Sequence, residues 1–191
     1  MTSILVVYGT GEGQTAKVAD RIGETLRERG HSATVLDATA ISTDYSVVRH
    51  DAVLVGSSIH VGKHQPEVVQ FVREHHHALS TRPTGFFQVS LSSATDDAER
   101  QAEAAGYVES FIAETDWHPD RIGLFGGALR YSEYGFLKRL LMKRIAKDAT
   151  GDTDTARDYE YTDWDEVAQF TNDFAAFVEG RLGIAPPNAA E

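Results

Sequence analysis

Residues 4–15 read Ile4-Leu5-Val6-Val7-Tyr8-Gly9-Thr10-Gly11-Glu12-Gly13-Gln14-Thr15, an apolar run that gives way to a glycine-rich loop. An uninterrupted apolar run of this length fits a strand buried on both faces. A helical pattern follows over residues 14–29, with Val18, Ile22 and Leu26 one turn apart, and it stops at Gly30. Strand, glycine loop and helix together are the opening of a βα unit.

The same rhythm continues along the chain. Short apolar runs at 33–36, 52–56, 86–91 and 121–129 predict further strands, and the patterns at 66–79, 97–115 and 163–182 predict helices. This alternation dictates an α/β fold, with right-handed crossovers, a parallel sheet and helices on both faces. Ligands of such folds sit at the carboxyl ends of the strands, where strand order reverses. Residues 1–182 are expected to form one domain. Residues 131–162, too long for a plain connection, are read as an insertion, and 183–191 as a flexible tail.

Composition narrows the chemistry. The chain of 191 residues has no cysteine, which removes disulfides, thiolate metal sites and thiol redox chemistry. A redox function must therefore come from a bound cofactor. His75, His76 and His77 are consecutive, and neighbouring helix residues point about 100° apart, so a solvated helix end is expected there, with no metal site. The formal charge of −11 argues against nucleic acid, whose binding depends on clustered Lys and Arg. With 13 Arg and only 5 Lys, the balance also suits a salt-rich cytoplasm. Neither a secretion signal nor an apolar run long enough to span a membrane is visible, so a cytoplasmic location is expected.

The first loop has the makings of a phosphate cradle: glycines admit backbone N–H groups, and a helix start adds unpaired donors and a positive dipole end. It lacks the Lys of a nucleoside-triphosphate loop. Gly9 and Gly11 match two positions of a dinucleotide fingerprint and Gln14 replaces the third glycine, but Asp37 stands where a ribose-binding acid would, so that reading stays open. A third design places hydroxyls at both flanks, here Thr10 and Thr15, and grips a terminal phosphate monoester with neutral donors. Thr10, Gly11, Glu12, Gly13, Gln14 and Thr15 are accordingly candidate ligand residues, the Glu12 carboxylate facing away. Two more loops reach the same edge. Ser58, Ile59, His60, Val61 and Gly62 are suited to wrap a flat ring, and Ser90, Leu91 and Ser92 to meet a polar ring edge.

Several stretches carry a family resemblance: Gly13-Gln14-Thr15, Gly56-Ser57-Ser58-Ile59, Trp117-His118-Pro119-Asp120-Arg121, Gly127-Ala128-Leu129-Arg130-Tyr131, Gly151-Asp152-Thr153-Asp154-Thr155 and Tyr161-Thr162-Asp163-Trp164. Through them, nearly the whole chain resembles the flavodoxin-like, quinone-linked protoporphyrinogen IX dehydrogenases. The resemblance implies a doubly wound five-stranded sheet of order 2-1-3-4-5, with a helical insertion after or within the fifth strand. It also implies FMN as cofactor, protoporphyrinogen IX as substrate and a membrane quinone as acceptor. A flavodoxin-type electron carrier, or a general FMN quinone reductase acting on another substrate, is the alternative. The phosphate role carries over to residues 10–15 and the ring role to 58–62; no catalytic residue is assigned.

Residues 130–147 add a reading of their own. They hold six bases (Arg130, Lys138, Arg139, Lys143, Arg144 and Lys147) against one acid, Glu133. On a helix, Arg139, Lys143 and Lys147 form one stripe and Leu137, Leu141 and Ile145 another, with Tyr131, Tyr134 and Phe136 at the start. A basic amphipathic helix with aromatic flanks is expected to lie on an anionic membrane surface at the cytoplasmic face.

Overall fold

The computed structural model describes residues 1–42, 44–130, 142–144, 146–148 and 150–185. Its centre is β1 (Ser3–Gly9), flanked in parallel by β2 (Ser32–Asp37) and β3 (Ala52–His60). Beyond β3 come β5 (Thr84–Ser90) and β6 (Arg121–Gly126), giving the order β2-β1-β3-β5-β6. This is the flavodoxin-like order, and the reversal falls between β1 and β3. The short β4 (Lys63–His64) pairs antiparallel with the end of β3.

Both faces are covered, which is why β1 reads as continuously apolar. Ile4 and Val6 join Leu54, Phe87 and Val89 beneath α1 (Gln14–Glu28) and α5 (Trp164–Leu182). Leu5 and Val7 point the other way, with Val53, Val55 and Phe86, under α2 (Pro66–Glu74) and α4 (Ala98–Thr115). Helix starts differ in a way that matters for the site. Asp97 caps α4 and Asp163 caps α5, each carboxylate accepting two backbone N–H bonds; α1 starts at Gly13 with no side-chain cap.

Some boundaries differ from the sequence expectation. The helix expected over 66–79 breaks at His75 into α2 and a short α3 (His76–Ser80). There the His75 ring packs on Phe71, and His76 Nε2 lies 2.9 Å from the Asp116 carbonyl. The third strand runs on from Gly56 to His60 because β5 and then β4 supply partners. The fifth strand breaks at Gly127: β7 (Ala128–Leu129) leaves the main sheet and pairs with β8 (Tyr159–Glu160). A Cβ at Gly126 would collide with the Tyr161 backbone, so the returning chain lies directly against the strand end. The aromatic start and all three residues of the apolar stripe (137, 141 and 145) of the expected basic helix, with Arg139, lie outside the described residues, as do the last residues of the expected tail.

One ion cluster fastens the two helices on the α1 face. Arg29 donates from Nε and Nη2 to the two carboxylate oxygens of Glu179, both at 2.8 Å, and His31 Nε2 lies 2.9 Å from Oε1. The Glu179 side chain is 4% exposed, and the Arg29 hydrogen bonds hold its carboxyl below the usual glutamate range. Replacing Glu179 with Ala removes the acid and leaves both bases facing the core. Denaturant unfolding is expected to show a loss of about 3 kcal/mol, the lower end for a broken buried pair, because Arg29 keeps some solvent contact.

Candidate functional site

The parallel register sets Gly9 beside Ser57, so the loops leaving β1 and β3 meet at the point of strand reversal. Gly9 lies so close to Val68 and Gln65 that a side chain there would displace them. Gly13 adopts φ 87°, a left-handed conformation that glycine reaches at little cost. The Thr10 hydroxyl oxygen accepts from the Gly13 N–H at 2.9 Å and closes the loop on itself. Gly11 N–H and Gln65 Nε2 both donate to Ser58 Oγ, at 3.2 and 2.8 Å, joining the first loop to the second.

Thr15, the second residue of α1, is fully buried, and its hydroxyl has no hydrogen-bond partner. It lies in the wall of a cavity of about 80 Å³ at this edge. An unsatisfied buried hydroxyl is costly, and here it sits beside an uncapped helix start. These groups are neutral donors, suited to an anion that brings its own charge.

The cavity draws in most of the residues singled out from the sequence. Thr10, Gly11, Glu12, Gln14 and Thr15 form one side; Ser58, Ile59 and His60 another; Ser90 and Leu91 a third. Glu12 is part-exposed and belongs to the wall. Gly13, Val61, Gly62 and Ser92 do not line the cavity. Gly13 shapes the turn, and Ser92 is drawn aside to donate to Glu103 Oε2 at 2.6 Å. That bond, with Tyr107 and Arg100, keeps the Glu103 carboxyl low despite its partial burial. Val61 and Gly62 form the tip of the β3–β4 hairpin, both at positive φ, with Val61 85% exposed. Val89, Gly127, Ala128 and Met142 also line the cavity, and sequence reasoning missed them. The small Gly127-Ala128 pair at the end of a strand was a usable signal; Met142 gave none.

Gln14 has both ends of its amide engaged. Its Nε2 donates to Thr162 Oγ1 at 2.9 Å, and its Oε1 accepts from Arg130 Nη2 at 2.8 Å. Thr162 in turn donates to the Gly126 carbonyl at 2.7 Å. Arg130 therefore turns inward and is not one of the bases facing outward, as its place in a basic run suggested. Glu160 stands 3.7 Å from Arg130 and 3.3 Å from Lys17. Partial burial pushes the Glu160 carboxyl up, but Lys17 and the Trp164 indole outweigh it and leave it below the ordinary value.

Over residues 5–156 the sequence matches the flavodoxin domain family. It is 32% identical over 171 residues to "Protoporphyrinogen IX dehydrogenase [quinone]" of Escherichia coli (strain K12), covering 90% of this chain and 93% of that one. The protein of the same name from Leishmania major is 33% identical over 172 residues, or 90% of this chain and 74% of that one. The chain belongs to the flavodoxin-like protoporphyrinogen IX dehydrogenase family. Among solved structures, a Fusobacterium nucleatum flavodoxin bound to flavin mononucleotide shares the fold of this family member, with a TM-score of 0.52 and 8% identity. That match covers 93% of this chain and 99% of the flavodoxin.

Beside the hairpin a second cavity, of about 670 Å³, opens between α2 and α4, with Lys63, His64, Arg73, Tyr107 and Phe111 in its wall. The His64 ring packs against Phe86 and Phe111, with Nε2 2.9 Å from Gln88 Oε1. Burial drives its pKa down to about 4, the Gln88 bond opposing only in part. The folded chain thus refuses a proton that the unfolded chain accepts below its ordinary 6.5. Stability is whole above that value and falls as pH drops toward 4, by about 1.4 kcal/mol per unit. Between pH 7 and 5 the native chain is expected to lose about 2 kcal/mol more than a His64→Gln variant in denaturant titrations.

Proposed function

We propose that this chain binds FMN at the reversal point, oxidises protoporphyrinogen IX to protoporphyrin IX and passes the electrons to a membrane quinone. The observation that carries the cofactor reading is Thr15, a buried hydroxyl without a partner beside an uncapped helix start. The phosphate of FMN supplies the missing acceptor. Thr10 and Thr15 hydroxyls, with backbone N–H groups at the start of α1, hold it. Ser58, Ile59 and His60 flank the ring on one side, Ser90 and Leu91 on another.

Bound FMN supplies the hydride and electron chemistry that a chain without cysteine lacks. The protein's own part is to fix the phosphate, orient the ring and keep its edge dry with Val89 and Met142. Each turnover removes a pair of hydrogens from the porphyrinogen and delivers them to the quinone. Support for these two substrates is the identity of about a third, along 90% of the chain, to relatives that bear that name.

Anaerobic incubation of the flavin-loaded protein with protoporphyrinogen IX and a quinone is expected to develop porphyrin fluorescence. Thr15→Val is expected to retain the fold and to weaken FMN binding about tenfold, the cost of one charge-assisted hydrogen bond. Fluorescence that develops only from coproporphyrinogen would move the substrate one step back along porphyrin synthesis; none from either would end the enzyme reading.

The basic segment supports attachment at the cytoplasmic face of the membrane. Lys143, Arg144 and Lys147 are exposed on residues 142–148, while Ala146 is buried and Met142 reaches the cavity wall. One short stretch thus has cations outside and the cavity inside; Arg139 lies outside the described residues. Among the described residues, no helix is long and apolar enough to cross a membrane. Each base near anionic lipid contributes about 1 kcal/mol, enough for reversible attachment close to a lipid-dissolved quinone. The native chain is expected to sediment with vesicles of anionic lipid, and a variant with Glu at 139, 143 and 147 to stay in the supernatant. Equal sedimentation of the two refutes the attachment.

A further inference from the structure

Residues 10–15 contain no cation, and phosphate recognition there falls to neutral groups. A cation nonetheless reaches the cradle from elsewhere in the chain. Arg130, 116 residues from Gln14, donates from Nη2 to the Gln14 amide oxygen, while Thr162 holds the amide nitrogen. Gln14 is the first residue of α1, is buried, and lines the cavity beside Thr15. Both amide ends are taken, so the side chain is held in place. The Arg130 side chain is 19% exposed, where water screens its charge far less than at the surface. Glu160, 3.7 Å away, opposes that charge and is itself shared with Lys17.

We infer that Arg130 is a positioning residue for the cofactor phosphate: through Gln14 it fixes the first turn of α1 and adds positive potential to a cradle whose loop has no cation of its own, with Glu160 setting how much of that potential is felt. The inference rests on the FMN reading and goes further by assigning a cationic determinant to a loop that has no cation. It separates two contributions. The hydroxyls and N–H groups recognise the shape of a phosphate ester, and Arg130 favours its double negative charge.

Riboflavin carries the same ring without the phosphate, so the pair of ligands isolates the phosphate contribution. Full-length protein stripped of flavin is titrated with FMN and with riboflavin at low salt, following flavin fluorescence. In Arg130→Gln the FMN dissociation constant is expected to rise about tenfold and the riboflavin constant to change less than about twofold. In Glu160→Gln the expected change is opposite in sign, with FMN binding about threefold tighter and riboflavin unaltered. Because Glu160→Gln retains Arg130, it decides the matter even if Arg130→Gln does not fold. Equal weakening of both ligands in Arg130→Gln, or FMN affinity unchanged in Glu160→Gln, overturns the inference. A native chain that takes up neither flavin overturns the FMN reading as well; one that prefers FMN, with the preference intact in Arg130→Gln, overturns this inference alone.

Discussion

The backbone N–H groups in the first turn of α1 carry hydrogen-bonding capacity that the helix cannot use. Among the described residues, the other long helices, α4 and α5, meet the same need with an aspartate at the cap. At α1 the cap position is Gly13, and the nearest hydroxyl, Thr10, accepts from Gly13 itself and keeps its own O–H to donate. An aspartate there would neutralise the donors and repel an anion. The fold keeps those donors open at the one sheet edge where β1 and β3 diverge, and the cavity, the loops around it and the redox reading all follow from that opening.

Such an arrangement has to be held in place, because a loop of glycines has many conformations to lose. The chain holds it from two sides. Ser58 accepts from Gly11 and Gln65 and so ties the loops after β1 and β3 together. On the other side Gln14 is clasped by Arg130 and Thr162, residues that leave β6 and return after β8. Polar networks of this kind are worth most when every member is satisfied. Arg130, where the chain leaves β7, is thus anchored to the first turn of α1.

Much of this was legible in the residues. The apolar run at 4–8, the glycines after it and the threonines flanking them sit close together in sequence, and local spacing is enough to show a strand, a tight turn and a donor pair. The strand order followed from the family resemblance and was found as expected. What escaped is non-local. Gly127, Ala128 and Met142 reach the cavity because β7 pairs with β8, a match of two-residue strands that no periodicity reveals. Arg130 looked like one more surface base because its partners are over a hundred positions away at Gln14 and thirty away at Glu160. The break at His75 depends on the Asp116 carbonyl, and the length of β3 on partners supplied by β4 and β5.

The small β7–β8 pair has a consequence for how this scaffold can vary. It brings Leu129 and Tyr159 together and so closes the chain between them into a loop. The entropy of closing a flexible loop grows only with the logarithm of its length, about 0.6 kcal/mol for each doubling. Changes of length at this point therefore cost the sheet little, provided that Arg130, Met142 and Ala146, which reach back from inside the loop, are kept. The clasp thus divides the loop into what can vary, its length, and what must stay, the side chains that reach back to the cavity.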